Sequence, residues 1–132
     1  MRIFLADSQP KVRSALRLLL EHETELSVVD EADEASALLA KAQPGCADLL
    51  LLDWNLPGAR PDELVILLRE KCPGLCIVAI SGRPESSQTA LEAGVDAFVS
   101  KGDPPETLLA ALHAAIDAAS QRNSGNTRGS HT

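Results

Sequence analysis

The sequence predicts an α/β fold, a doubly wound five-stranded parallel sheet with helices on both faces, and three observations carry that expectation. Leu49 to Leu52 form a continuous apolar run without polar alternation, as in a strand covered on both sides rather than one with a wet face. Strand-like segments alternate with helix-like ones and no long loop intervenes, the pattern of a sheet wound with right-handed crossovers. Asp7, Asp53, Ser81 and Lys101 each stand at the carboxyl end of a strand-like run, the edge where open α/β sheets place their ligands.

Arg2 to Ala6 reads as the first strand and ends at Asp7. Ser8 is a candidate cap for the first helix and Pro10 suits its first turn; Val12, Ala15, Leu16 and Leu19 recur at helical spacing to about His22. Leu26 to Asp30 is a short strand. Asp33 opens a second helix with Ala35, Leu38, Leu39 and Ala42 as its apolar stripe, closed by Pro44 and Gly45. The third strand is the Leu49 run, halted at Asp53 before a loop containing Pro57 and Gly58. Pro61 to Lys71 is a third helix with Leu64, Leu67 and Leu68 expected inward, and Pro73-Gly74 stops it.

Leu75 to Ile80 is a fourth buried strand, ending in the hydroxyl of Ser81. Pro84 to Ala93 should be helical, yet Ser86, Ser87 and Thr89 are poor helix formers and few positions are apolar, so it is expected to be the least firmly packed helix. Asp96 to Ser100 is the fifth strand. Pro104 starts a last helix with Leu108, Leu109, Leu112, Ala115 and Ile116 at core spacing. After about Ala119 the composition turns to Ser, Asn, Gly, Thr and Arg, so residues 1–119 read as one domain and residues 120–132 as a disordered tail or linker.

At 132 residues and 45% hydrophobic content the chain supports one proper core. A formal net charge of −7 argues against direct binding of nucleic acid, which needs clustered Lys and Arg. The apolar runs are too short to span a bilayer and the start shows no basic region and signal-like core, so no membrane association and a cytoplasmic location are expected. Cys46, Cys72 and Cys76 read as ordinary reduced thiols, since a zinc site at Cys72 and Cys76 lacks a second ligand pair. His22, His113 and His131 are scattered and read as surface residues.

Parallel strands bring their carboxyl ends to one edge, so the four polar groups can converge there. Two carboxylates with a backbone carbonyl suit a hard cation such as Mg²⁺. A cation and an ammonium together can neutralise an incoming phosphoryl group while a carboxylate attacks its phosphorus. Asp53 is the expected nucleophile, and Lys101 and Ser81 the oxygen-binding groups.

Four stretches then carry a resemblance: F-L-A-D-S-Q-P at the first strand end, L-L-L-L-D-W-N-L-P-G at the third, A-I-S-G at the fourth and A-G-V-D-A-F-V-S-K at the fifth. In this order the chain, from roughly Arg2 to Ala119, resembles the receiver domain of bacterial two-component response regulators, of the kind that precede helix-turn-helix transcription modules. The resemblance implies a flavodoxin-like (βα)5 fold with strand order 2-1-3-4-5. It implies that Asp53 accepts a phosphoryl group from a sensor histidine kinase with Mg²⁺ present, with at most self-catalysed transfer and slow autodephosphorylation instead of ordinary enzyme activity. It assigns Asp7, Asp53 and the Asn55 backbone carbonyl to the metal, Ser81 and Lys101 to sensing the phosphoaspartate, and Phe98 to the aromatic switch position. Asn55 and Arg83 fall where side chains tune the lifetime of the phosphoryl group. The implied partners are a kinase, an output domain or effector protein and a homodimer through helix five or its neighbours, and the chain reads as a stand-alone receiver or the front of a longer regulator.

One departure matters. Family members usually carry two adjacent acids after the first strand, and here the pair is Asp7-Ser8. Ser8 leaves its place in the metal set open, and weaker Mg²⁺ binding with slower phosphorylation is expected. A second departure, A-R-P-D after Gly58, alters the loop beside the site.

Simpler readings stand beside these. Asp53 and Ser81 also suit turns, Asp7 also suits a helix cap, Lys101 a solvated surface, and Phe98 and Trp54 plain packing, with Trp54 placed to report on the site. A pseudo-receiver that docks partners without phosphorylation is the alternative that Ser8 motivates. A phosphatase of the haloacid dehalogenase kind needs an acid two residues beyond its nucleophile, where this chain has Asn55. No G-x-G-x-x-G or phosphate loop supports a nucleotide-binding domain.

Overall fold

The computed structural model describes residues 1–118 in full and the backbone alone of residues 119–131; the tail expected over residues 120–132 lies outside the fully described part. Five strands, β1 (Arg2–Ala6), β2 (Ser27–Ala32), β3 (Leu49–Asp53), β4 (Cys76–Ser81) and β5 (Ala97–Ser100), form one parallel sheet in the order β2-β1-β3-β4-β5. They alternate with α1 (Pro10–Glu21), α2 (Ala35–Lys41), α3 (Pro61–Lys71), α4 (Ser86–Glu92) and α5 (Pro105–His131). The expected fold class, order and alternation are those observed.

Successive strand side chains point to opposite faces, and this parity divides the core in two. Phe4, Ala6, Leu50, Leu52, Ile77 and Ala79 pack with α2, α3 and Ala90 of α4. Their neighbours Ile3, Leu5, Leu49, Leu51, Val78 and Ile80 pack with Leu20 of α1 and with Leu108, Leu112 and Ala115 of α5. Every residue of β3 and β4 is buried, which is why those runs show no polar alternation.

Several boundaries and faces differ from expectation. β2 runs on past Asp30 to Ala32, because its register with β1 slips between Ile3 and Phe4, leaving Val29 as an extra residue on this edge strand. α1 begins after Gln9, which makes no side-chain cap, so Ser8 is not the cap. Its inward residues are Leu16, Leu19 and Leu20, while Ala15 is exposed. α2 starts at Ala35 rather than Asp33; the Glu34 carboxylate accepts from the backbone N–H groups of Ser36 (3.0 Å) and Ala37 (2.5 Å). In α3 the buried face is Leu64, Val65 and Leu68, and Leu67 turns outward. α4 is shorter than predicted at seven residues, and only Ala90 is buried.

Gly58 fixes the loop between β3 and α3. Its φ of 102° belongs to the left-handed region, and an added Cβ would lie 3.3 Å from the Ala35 Cβ. The close approach lets the Pro57 carbonyl accept from the Ala35 N–H at 2.9 Å, tying this loop to the start of α2. Among the described residues no helix is long and apolar enough to cross a membrane.

Candidate functional site

The parallel register sets the site. Ala6 lies beside Leu52, Asp53 beside Ile80 and Ser81 beside Ser100, so β1, β3, β4 and β5 end together. Two backbone bonds carry the ladder past the strand ends: the Asp7 N–H donates to the Ala32 carbonyl (3.0 Å) and the Lys101 N–H to the Ser81 carbonyl (2.8 Å). Asp7, Asp53, Ser81 and Lys101 are thereby brought to one place.

Asp7 and Asp53 are 0% and 2% exposed, an arrangement that costs free energy unless positive charge or donors face them. Lys101 supplies the charge, with Nζ 2.9 Å from Asp7 Oδ2 and 3.5 Å from Asp53 Oδ1. Asp7 Oδ1 accepts from the Gln9 N–H (2.9 Å) and Asp53 Oδ1 from the Asn55 N–H (3.0 Å). Asp7 Oδ2, fully buried, has the ion pair alone and no hydrogen bond of good geometry. The two buried carboxylates thus share the Lys101 ammonium.

The donor set fits a hard cation in kind. It is all oxygen, two of its members are anionic, and the poorly satisfied Asp7 Oδ2 is an oxygen such an ion would satisfy. Ser8, half-buried on the wall of the same cleft, adds a neutral hydroxyl where a third charge would strengthen the site. The cleft measures about 340 Å³ and is lined by Ser8, Gln9, Asp53, Asn55, Arg83 and Lys101, with Gly82 between them.

Ser81 Oγ accepts two bonds, from Asn55 Nδ2 (3.3 Å) and from the Arg83 N–H (3.0 Å). The loop after β3 and the loop after β4 are thus joined through one hydroxyl. Phe98 lies away from the cleft lining, half-buried against the α2 and α3 side of the core. Trp54 is buried in that same core and its backbone N–H donates to the Ile80 carbonyl (2.7 Å), which continues the β3–β4 ladder just past Asp53.

Sequence reasoning missed Gln9, whose Oε1 lies 3.5 Å from Lys101 Nζ; its place two residues after Asp7 in a loop at the sheet edge was the available signal. It also missed the Asn55–Ser81 bond, which joins residues 26 apart. Elsewhere His113, expected at the surface, is half-buried with Nε2 4.0 Å from Glu23 Oε1 and 3.9 Å from Glu25 Oε1. On α1, Arg17 is ion-paired with Glu31 and Glu21, and these acids raise its pKa above the usual value.

Comparison with known proteins points one way. Residues 3–113 match the family described as the response regulator receiver domain. The nitrate/nitrite response regulator protein NarL of Escherichia coli K12 is 35% identical over 115 residues, covering 86% of this chain and 53% of that protein. The transcriptional regulatory protein ResD of Bacillus subtilis is 29% identical over 121 residues, 91% of this chain and 50% of that one. The chain spans about half the length of these relatives. Among solved structures, a LuxR-family two-component response regulator from Aurantimonas sp. SI85-9A1 superimposes with a TM-score of 0.82 at 28% identity, over 89% of this chain and 85% of that one. A CheY-like receiver domain protein from Methanospirillum hungatei JF-1 gives 0.80 at 27% identity, over 92% and 97%.

Proposed function

This chain belongs to the response regulator receiver domain family, and we propose that it is switched by phosphorylation of Asp53. Receivers of two-component systems are signalling domains rather than classical enzymes, and members of the family generally use Mg²⁺ for phosphorylation. The observation that carries the assignment to Asp53 is the placing of the Lys101 ammonium between two buried carboxylates, 2.9 Å from Asp7 and 3.5 Å from Asp53, beside a cleft that Asp53 and Lys101 both line.

In the reaction an Asp53 carboxylate oxygen attacks the phosphorus of a phosphohistidine on a sensor histidine kinase. The P–N bond breaks, its electrons return to the imidazole, and an acyl phosphate forms on Asp53. Lys101 turns its ammonium toward a phosphoryl oxygen, and Ser81 exchanges its bond from Asn55 for one donated to another phosphoryl oxygen. Asp7, Asp53 and the Asn55 backbone carbonyl would hold Mg²⁺, with Ser8 as a neutral neighbour, and the ion supplies positive charge to the phosphoryl oxygens. Breaking the Ser81–Asn55 bond releases the loop ahead of α4, and this reading takes α4, β5 and α5, with Phe98 as the switch aromatic, as the surface that changes.

Residues 1–119 are taken as the receiver unit and residues 120–132 as the path to an output domain or effector. A DNA-binding output is in keeping with the LuxR-family likeness, and a homodimer of receivers belongs to the same scheme. A cytoplasmic site of action follows from a kinase partner of this kind.

Incubation with acetyl phosphate and Mg²⁺, followed by intact-mass measurement, tests the reading. The expected result is one phosphoryl adduct, absent from Asp53→Asn; no adduct in the parent chain, or one that persists in the variant, would leave only a docking module. Ser8→Asp restores the missing acid and is expected to accelerate adduct formation about tenfold or more, by the weight of one added charge on a cation ligand.

A further inference from the structure

At the edge of the sheet where the strands begin, opposite the edge that carries Asp53, an imidazole and two carboxylates meet from two separate elements. Glu23 and Glu25 lie in the loop between α1 and β2, and His113 lies on α5. His113 Nε2 stands 3.9 Å from Glu25 Oε1 and 4.0 Å from Glu23 Oε1, and one ligand atom from each of the three residues lies within 4.8 Å of the other two. None of the three lines the Asp53 cleft. The fold sets where they stand. The Glu23 N–H donates to the Leu20 carbonyl (3.0 Å) and the Glu23 carbonyl accepts from the N–H of buried Leu26 (3.1 Å), which closes the turn after α1. The N-terminal ammonium donates to the Glu25 carbonyl at 2.7 Å. On α5, Leu109, Leu112 and Ile116 pack into the core and hold the turn of helix from which His113 projects.

Two carboxylates held this close repel each other unless a cation lies between them. Among the described residues no Lys or Arg pairs with either one, and the N-terminal ammonium engages a carbonyl instead. Nε2 is itself beyond hydrogen-bond reach of both oxygens, a reach of about 2.7–3.2 Å, so the three atoms surround a gap instead of closing it. A zinc ion at about 2.0–2.1 Å from each of three tetrahedral ligands sets those ligands about 3.3 Å apart. Reaching that spacing asks Nε2 and each carboxylate to close by about 0.7 Å, a small movement for side chains with solvent on one side. We propose that Glu23, Glu25 and His113 bind a divalent transition-metal ion of the zinc kind, with water completing its coordination. The imidazole nitrogen sets the choice of metal, because it suits zinc, copper and nickel, whereas Mg²⁺ takes oxygen ligands. The bound ion ties the α1–β2 loop to α5, and the inference stands whether or not Asp53 is ever phosphorylated.

The test is a titration of zinc chloride into the isotope-labelled full chain, followed by NMR of the histidine rings and the backbone amides. The His113 ring signals and the amides of Glu23 and Glu25 should shift together and saturate, and the same excess of magnesium chloride should leave them in place. Even outer-shell partners of a zinc ligand are worth about 10–100-fold in affinity, so Glu25→Gln and His113→Gln should each weaken this binding by about tenfold or more. Asp53→Asn should bind zinc here as the parent does. His113 ring signals that stay still in excess zinc, zinc that moves only signals around Asp53 or the cysteines, an equal response to magnesium, or Gln variants that bind as tightly as the parent would each overturn the proposal. The parent's own shift map decides the ligands if a variant fails to fold.

Discussion

Helices α3 and α4 follow the two strands that end in Asp53 and Ser81, and they are built to opposite specifications. α3 has eleven residues, Pro61 at its start, Asp62 and Glu63 in the first turn and Arg69 and Lys71 in the last, the arrangement that complements a helix dipole. It buries Leu64, Val65 and Leu68. Arg69 bolts it down further, donating to the carbonyls of Leu75 (2.5 Å) and Gly94 (2.8 Å) and pairing with Asp96 at 2.9 Å. α4 has seven residues, no side-chain cap, no acid in the first turn and no base in the last, and one buried residue, Ala90. One strand of the site thus leads into a fixed support and its neighbour into an element held lightly. Low local stability of this sort is what a conformational response draws on.

The largest expected effect that would sharpen the contrast is on α3. Leu68→Ala empties fully buried space and should cost about 2–5 kcal/mol in urea unfolding. A loss below about 1 kcal/mol would mean α3 is not the fixed partner. Arg69→Ala comes next: it strips donors from two carbonyls and leaves Asp96 without that cation, for an expected loss of about 1–3 kcal/mol by the same measurement. Gly58→Ala strains a positive φ and crowds Ala35, and should cost about 1 kcal/mol or more. Smallest is Leu91→Ala on α4, where the side chain is 49% exposed; its effect should stay within about 0.5 kcal/mol. Amide hydrogen exchange separates the helices directly, with α4 expected to exchange faster than α3 by orders of magnitude, and equal protection would break the comparison.

How much of this was legible follows the same divide. Uninterrupted apolar runs located β3 and β4, and the Ser and Thr content of residues 86–89 foretold that α4 would be poorly anchored. The inward face of α3 was misjudged because Leu64 to Leu68 is apolar at every position, so the pattern holds no phase and packing chose Val65 over Leu67. The end of β2 was set by a register slip on an edge strand, a tertiary event with no local mark. The start of α2 was missed because Glu is a rarer capping residue than the Asp one place earlier. The meeting of Asp7, Asp53, Ser81 and Lys101 could be expected because parallel pairing brings the ends of their strands to one edge. Gln9 and the Asn55–Ser81 bond depend on loop paths, and loop paths are not written in periodicity.

The alternation of side chains along β4 has an implication for how this chain tolerates change. Ile77 and Ala79 serve one half of the core while Val78 and Ile80 serve the other, and Ser81 emerges with its hydroxyl facing Asn55 only because an odd–even count is kept along the way. Inserting or deleting one residue between Cys76 and Ile80 would exchange the two halves' side chains and rotate the hydroxyl to the wrong side. A substitution in this strand is felt at one side chain, whereas a change in the number of its residues misplaces every side chain that follows.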